Sequence, residues 1–258
     1  MTRTIAVSGS ASGIGKALTD LLRGQGDEVI GVDLAEAEVV ADLSTEEGRA
    51  RAVEGVLERS GGTLDGVVAC AGLSGPLTLT VNVNFFGAVA LLEGLRPALA
   101  RAERPRAAVV GSISGTQPVD EIVLRSCLNG DEEAAVEAAD EVVDKGRGRT
   151  LYPSSKAALA QWLRRVAVSP AWAGEGIALN AIAPGVVLTP MSAPLFADEK
   201  MRKIMDEAVP MPLNGYADAQ VIAEALAWLI SPANSHMAGQ VIYVDGGAEA
   251  VLRGSEVF

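Results

Sequence analysis

The sequence predicts a single α/β domain in which a seven-stranded parallel sheet is covered by helices on both faces. Three observations predict it. β-type and helical stretches alternate from end to end, the pattern of parallel strands joined by crossover helices. The first strand runs straight into a glycine-rich turn that opens a helix. The 258 residues are 49% hydrophobic and only 4% aromatic, which suits one large aliphatic core. No internal repeat or low-complexity linker divides the chain, so residues 1–258 are read as one domain.

Thr4–Ser8 is the first β-type run, and Gly9, Gly13 and Gly15 follow in a G-x-x-x-G-x-G spacing that includes Ser12 and Ile14. Ile14–Leu22 then has helical spacing. Glycines in such a turn let the backbone bend sharply and approach a pyrophosphate, whose charge the free N–H groups of the helix start attract. Glu28–Asp33 reads as a second buried strand that ends in a carboxylate 18 residues beyond Gly15. An acid there matches the ribose-binding position of dinucleotide folds. Its carboxylate accepts from the 2′-hydroxyl of NAD and repels the 2′-phosphate of NADP, and Leu34 and Ala35 bring no compensating charge, so NAD is the expected cofactor. Together these features specify a Rossmann-type, doubly wound arrangement.

The alternation continues with a strand at Val39–Leu43, a helix at Thr45–Arg59, a strand at Leu64–Ala71, a helix at Val81–Ala100 and a strand at Ala107–Gly111. Later come the β-type stretch Gly176–Gly185, a helix at Ala219–Ile230 and a last strand at Gln240–Asp245. Between them, Leu151–Arg164 places Tyr152 and Lys156 one helical turn apart on one face. Pro153 suits a first turn, and Leu159, Trp162, Leu163 and Val166 recur at helical steps. A phenol titrates near pH ~10, and a neighbouring cation favours its phenolate; Lys156 is expected to supply that cation and lower Tyr152. Tyr-x-x-x-Lys alone also suits an exposed helix start with a solvated lysine. Its meaning depends on the dinucleotide site at the other end of the chain.

Composition excludes several functions. A net charge of −12 with no basic run opposes nucleic acid and anionic membrane surfaces. The two cysteines, Cys70 and Cys127, have neither disulfide-framework nor zinc spacing, which fits a reducing cytoplasm. His236 is the only histidine, so multi-histidine metal sites are excluded and no metal is expected; a Ser-His-Asp triad would have to rest on that one residue. The N-terminus lacks a signal-peptide apolar region, and no stretch holds ~18 uninterrupted apolar residues, so a membrane span is not expected.

With these residues in place, the chain resembles the short-chain dehydrogenase/reductase family over nearly its whole length. The resemblance rests on Gly9-x-x-x-Gly13-Ile-Gly15, Ala71-Gly72, Asn84 in Val-Asn-Phe-Phe-Gly, Gly111-Ser-Ile-Ser-Gly115, Tyr152-x-x-x-Lys156, Pro184-Gly185 and Asp245-Gly-Gly247. It implies Tyr152 as general acid/base, Ser112 as the hydroxyl that binds the carbonyl oxygen, Lys156 on the nicotinamide ribose and Asn84 as holder of a relay water. Ser112 is chosen because it stands three residues before a small residue, as the family's serine does, with Ser114 as the rival. The resemblance also puts Asp42 and Leu43 at the adenine, Thr189 at the nicotinamide amide, and Ala71, Gly72, Pro184 and Gly185 along the cofactor. It implies a homodimer or homotetramer. Ser8 departs from the usual threonine, and Ala69 and Cys70 from two usual asparagines.

The larger departure is spacing. Ser112 and Tyr152 lie 40 residues apart, where common members hold them roughly a dozen apart, so residues 117–150 are read as a helical insertion. Asn129 or Asp131 can cap its helix, and Ala135, Val136, Ala139, Val142 and Val143 form its packing face. The insertion is expected to cover the surface of the Tyr152 helix that commonly pairs with a second subunit, and so to alter the dimer. It also resembles the subgroup of bacterial hydroxysteroid dehydrogenase/carbonyl reductases, and coniferyl-alcohol dehydrogenases are similar. Both imply a small hydrophobic alcohol or ketone as substrate. Two other readings fit the same residues: a non-enzymatic dinucleotide sensor, and an epimerase or dehydratase that retains NAD.

Overall fold

The fold was obtained as a computed structural model, which describes residues 2–257. Its strands are β1 (Thr4–Ser8), β2 (Glu28–Asp33), β3 (Val39–Val40), β4 (Gly66–Ala69), β5 (Arg106–Val110), β6 (Ala178–Pro184), β7 (Val187–Leu188), β8 (Ala217–Asp218) and β9 (Val241–Val244). Its helices are α1 (Gly13–Gly24), α2 (Glu46–Arg59), α3 (Leu79–Val81), α4 (Ala88–Leu99), α5 (Glu121–Asn129), α6 (Glu132–Asp144), α7 (Leu151–Val166), α8 (Ala193–Phe196), α9 (Glu199–Ala208), α10 (Ala219–Leu229) and α11 (Ala248–Arg253). A π-helical turn, Asn82–Gly87, joins α3 to α4.

Seven strands form one parallel sheet in the order β3-β2-β1-β4-β5-β6-β9, as the alternation predicts. Because β1 to β3 spread one way and β4 to β9 the other, the order reverses between β1 and β4. That switch point opens a crevice at the carboxyl ends of the strands. The strands are buried on both sides, so they read as continuous apolar runs rather than alternating ones. One core layer sets Ala6, Val67 and Val109 against α2, α4, α6 and α7; the other sets Ile5, Val7 and Val68 against α1 and α10. Among the described residues no helix is long and apolar enough to cross a membrane.

Several boundaries differ from the sequence reading for local reasons. The third strand keeps only Val39–Val40, because Asp42 already begins the turn that leads into α2, whose N-cap Thr45 accepts from Gly48 N. A two-stranded sheet, β7 with β8, was not anticipated; its strands are two residues long and carry no readable period. The insertion holds two helices rather than one. Asp120 caps α5, Gly130 ends it in the left-handed conformation at φ 74°, and Asp131, not Asn129, restarts the chain by accepting from Ala134 N. Ala135, Ala139 and Val142 pack as expected, while Val143 faces solvent at 36% exposure.

α5 lies along α7. Together with the sheet it leaves Leu151, Lys156, Leu159, Trp162 and Leu163 buried within one chain. Full burial of a large apolar side chain is worth ~1.5–3 kcal/mol, so the helix that carries Tyr152 is among the most firmly held.

Candidate active site

The crevice at the switch point is a cleft of about 630 Å³, well within the ~300–1,000 Å³ of ligand pockets. Its floor is the glycine turn. Gly9 has φ +69°, and a side-chain carbon there would lie 2.9 Å from the Ala71 backbone; one on Gly15 would lie 2.1 Å from the Gly9 carbonyl. Only glycine therefore lets α1 start this close to the strand ends. Ser8 Oγ accepts from Cys70 N and Ala71 N, both at 3.1 Å, and locks the turn to the end of β4. The first turn of α1 holds no acidic residue, and the Ser12 hydroxyl makes no capping bond. This cradle fits a pyrophosphate, which it would hold by backbone N–H groups and the helix dipole.

At one end of the cleft, Asp33 accepts from Ala11 N at 2.9 Å and from Leu34 N at 2.7 Å, one bond to each carboxylate oxygen. The carboxylate is thus fixed in direction while keeping free lone pairs. Asp42 and Leu43 line the same end, and Pro184, Gly185 and Thr189 line the other. The Thr189 methyl stands over the turn, 3.4 Å from where a Gly13 side-chain carbon would be. Lys156 is the only cation among the residues lining the cleft.

Tyr152, Lys156 and Ser112 meet in the middle. Lys156 is buried and donates to the Val110 carbonyl at 2.8 Å, which leaves two of its three donors for the cleft. Burial pushes its ammonium down to about 8, with a smaller opposing influence from Cys70. The Lys156 nitrogen stands 5.8 Å from the centre of the Tyr152 ring. Burial pushes the Tyr152 phenol above its ordinary value, and the adjacent Ser112 hydroxyl pulls the other way. The expected lowering of Tyr152 by Lys156 is therefore corrected. Desolvation of the buried phenol is the dominant influence there. Ser112 Oγ accepts from Ser114 N at 3.1 Å, so its own proton stays free to donate to a substrate oxygen. Ser114 also lines the cleft, but the hydroxyl beside the phenol is that of Ser112.

Asn84 alone among the expected positions stands behind the cleft wall. It is fully buried; its Nδ2 donates to the Leu73 carbonyl (2.9 Å) and Ser155 Oγ (3.1 Å), and its Oδ1 accepts from Leu73 N (2.7 Å). Both amide protons are committed, so the side chain clamps the segment after β4 to α7. Ser155 Oγ in turn donates to the Tyr152 carbonyl at 2.8 Å. Sequence reasoning missed Ser155 because a serine inside a helix carries no signal of its own. The apolar end of the cleft is formed by Leu73, Leu79, Val186, Met191, Met205 and Val209, the last four in the stretch Val186–Tyr216 that the sequence offers as a substrate loop. His236 is exposed, bonded to Ser235, and does not line the cleft. Among the described residues no three metal-ligating side chains gather.

Comparison with known proteins agrees with this geometry. Residues 3–126 match the short chain dehydrogenase family, and residues 134–249 match the family described as enoyl-(acyl carrier protein) reductase. A 3-alpha-hydroxysteroid dehydrogenase/carbonyl reductase of Comamonas testosteroni is 38% identical over 254 residues, covering 96% of this chain and 97% of the relative. A cis-4-hydroxycyclohexanecarboxylate dehydrogenase of Sinomonas cyclohexanicum is 31% identical over 96% of this chain and 97% of its own. The crystal structure of the 3-alpha-hydroxysteroid dehydrogenase from Pseudomonas sp. B-0831, complexed with NADH, superposes with a TM-score of 0.92 at 43% identity, covering 99% and 100% of the two chains. The likeness extends over nearly the whole chain, and it makes this chain a member of the short-chain dehydrogenase/reductase family, an oxidoreductase of CH–OH groups that uses a nicotinamide dinucleotide.

Proposed function

We propose that the chain interconverts a hydrophobic secondary alcohol, a hydroxysteroid or similar cyclic compound, with its ketone, using NAD rather than NADP. The observation that carries the cofactor choice is Asp33, bonded on both oxygens at the ribose end of a cleft whose only lining cation is Lys156. A 2′-phosphate there would meet a carboxylate and no positive partner. The substrate class follows from the apolar end of the cleft and from what the two hydroxysteroid relatives are named for.

The dinucleotide supplies or accepts the hydride when bound. This chain's residues do the rest. Ser112 donates to the substrate oxygen as charge gathers on it, and Tyr152 gives or takes that oxygen's proton. Lys156 uses its free donors on the nicotinamide ribose. Gly9, Ser12, Gly13, Ile14 and Gly15 hold the pyrophosphate, Asp42 and Leu43 the adenine, and Ala71, Gly72, Pro184, Gly185 and Thr189 the remainder. Asn84, whose side chain keeps the wall and the helix in register, holds the relay water. A comparison of kcat/KM for NAD and NADP tests the reading, with steroid, cyclic-terpenoid and aromatic alcohols as substrates. The wild type is expected to favour NAD, and Asp33→Ala to narrow the ratio by about tenfold or more. A wild-type preference for NADP, or turnover confined to charged substrates, would overturn it.

The chain is further proposed to form a homodimer or homotetramer whose contacts avoid α7, because α5 already packs on that helix and leaves mainly Gln161, Arg164 and Arg165 exposed. Cysteines placed singly at those positions should give no symmetric cross-link between subunits. Efficient cross-linking there would show that α7 still pairs.

A further inference from the structure

The insertion touches the cofactor end of the cleft through one ion pair. Glu132, the first residue of α6, takes both ends of the Arg49 guanidinium. Arg49 Nη1 donates to Oε2 at 2.8 Å, and Nη2 makes a second, shorter bond to Oε1. The two residues are 83 positions apart in the chain. Arg49 is only 8% exposed, in the first turn of α2, and its Nη2 also donates to the Ser44 carbonyl at 3.3 Å. Asn82 Nδ2 reaches the same carbonyl at 3.4 Å, and Ser44 N donates to Asp42 Oδ1 at 2.9 Å. Asp42, Leu43 and Ser44 line the cleft at the Asp33 end.

A guanidinium held at both ends by one carboxylate is fixed in plane as well as position. Glu132 therefore sets the direction in which Arg49 grips Ser44. Without the carboxylate, Arg49 is a largely buried charge with no partner, and it turns toward water rather than keep the carbonyl. We infer that Glu132 and Arg49 are positioning residues for the dinucleotide: the insertion, through this pair, holds the 42–44 wall at the spacing that adenine binding requires. The inference rests on reading Asp42 and Leu43 as the adenine wall. It gives the insertion a part in cofactor affinity, apart from its cover of α7.

The test compares Glu132→Gln with the exposed neighbour Glu133→Gln, each checked for native fold by circular dichroism. NADH binding is followed by nicotinamide fluorescence, ADP binding by its displacement of NADH, and kcat at saturating cofactor. Glu132→Gln is expected to weaken NADH and ADP together by about tenfold, with kcat within about twofold of wild type, and Glu133→Gln to match wild type. A brace with only a structural role would lower thermal stability without separating affinity from kcat. If ADP fails to displace NADH from the wild type, the adenine reading falls and the inference with it. If ADP displaces NADH but binds Glu132→Gln and wild type equally, the inference alone falls. Should Glu132→Gln not fold, Arg49→Lys keeps the charge, removes the fork and is expected to show the same split; unchanged affinities there would equally overturn the inference.

Discussion

α7 and α9 line the same cleft, yet they are held in opposite ways. α7 buries ten of its sixteen residues, Lys156 among them, between the sheet, α5 and the turn after β5. α9 buries none of its ten; it is tied down by Val209 just past its end, by the Asp206 carboxylate accepting from the Tyr216 phenol, and by the rings of Phe196 and Tyr216 at 5.0 Å. A helix of that length is marginal in water without tertiary support. The difference separates two duties. On the proposed reading Tyr152 transfers a proton and tolerates little error in position, which a helix locked into the core supplies. Recognition of a hydrophobic substrate needs apolar surface near the cleft and gains from a segment that opens at low cost.

The contrast is broken most directly on α7. Tyr152→Phe keeps the ring and its packing and removes only the transferable proton, so kcat should fall by ~10²–10⁴ while dinucleotide affinity stays nearly unchanged. Near-normal turnover with an unchanged pH profile would take Tyr152 out of the mechanism. Stopped-flow hydride transfer with Ser112→Ala and Ser114→Ala sharpens the same point, since only the first should slow the step substantially.

On α9 the expected effect is smaller and of another kind. Met205→Ala removes apolar surface at the substrate end, so KM for a hydrophobic alcohol should rise by about tenfold or less, with kcat and the melting temperature little altered. A large drop in melting temperature would show that α9 is part of the core after all, and the division between the two helices would fail.

Most of the cofactor half was readable because its signals are local. Glycines at positions 9, 13 and 15 announce a backbone approach, and a carboxylate at the end of a second apolar run marks the end of the cleft that Asp33 lines. The seven strands were readable because buried parallel strands are uninterrupted apolar runs. Other features depend on distant partners and leave no local mark. Gly130 divides the insertion into α5 and α6 inside a stretch that is otherwise a good helix. Burial, which no spacing reveals, decides that Tyr152 titrates high and Lys156 low. The amide of Asn84 is spent on Leu73 and Ser155, residues 11 and 71 positions away. The Arg49–Glu132 pair spans most of the N-terminal half.

The π-helical turn at Asn82–Gly87 bears on how this chain can vary in length. Each residue advances an α-helix by about 100°, so a π turn, which holds one residue more, resets the phase of everything before it against everything after it. Here Asn84, Phe85, Phe86 and Gly87 are buried in succession, while Leu91, Leu92, Leu95, Ala98 and Leu99 keep an ordinary apolar stripe against the sheet. The asparagine that clamps Leu73 and the leucines that pack the core thus answer to two angular registers joined at one turn. Deleting a single residue between 82 and 87 would bring both into one phase and rotate Thr80, Val81 and Asn84 away from their partners. The number of residues in this turn is thus constrained as tightly as their kinds, since Asn84 keeps three buried bonds and a side-chain carbon on Gly87 would lie 2.9 Å from the Leu43 carbonyl.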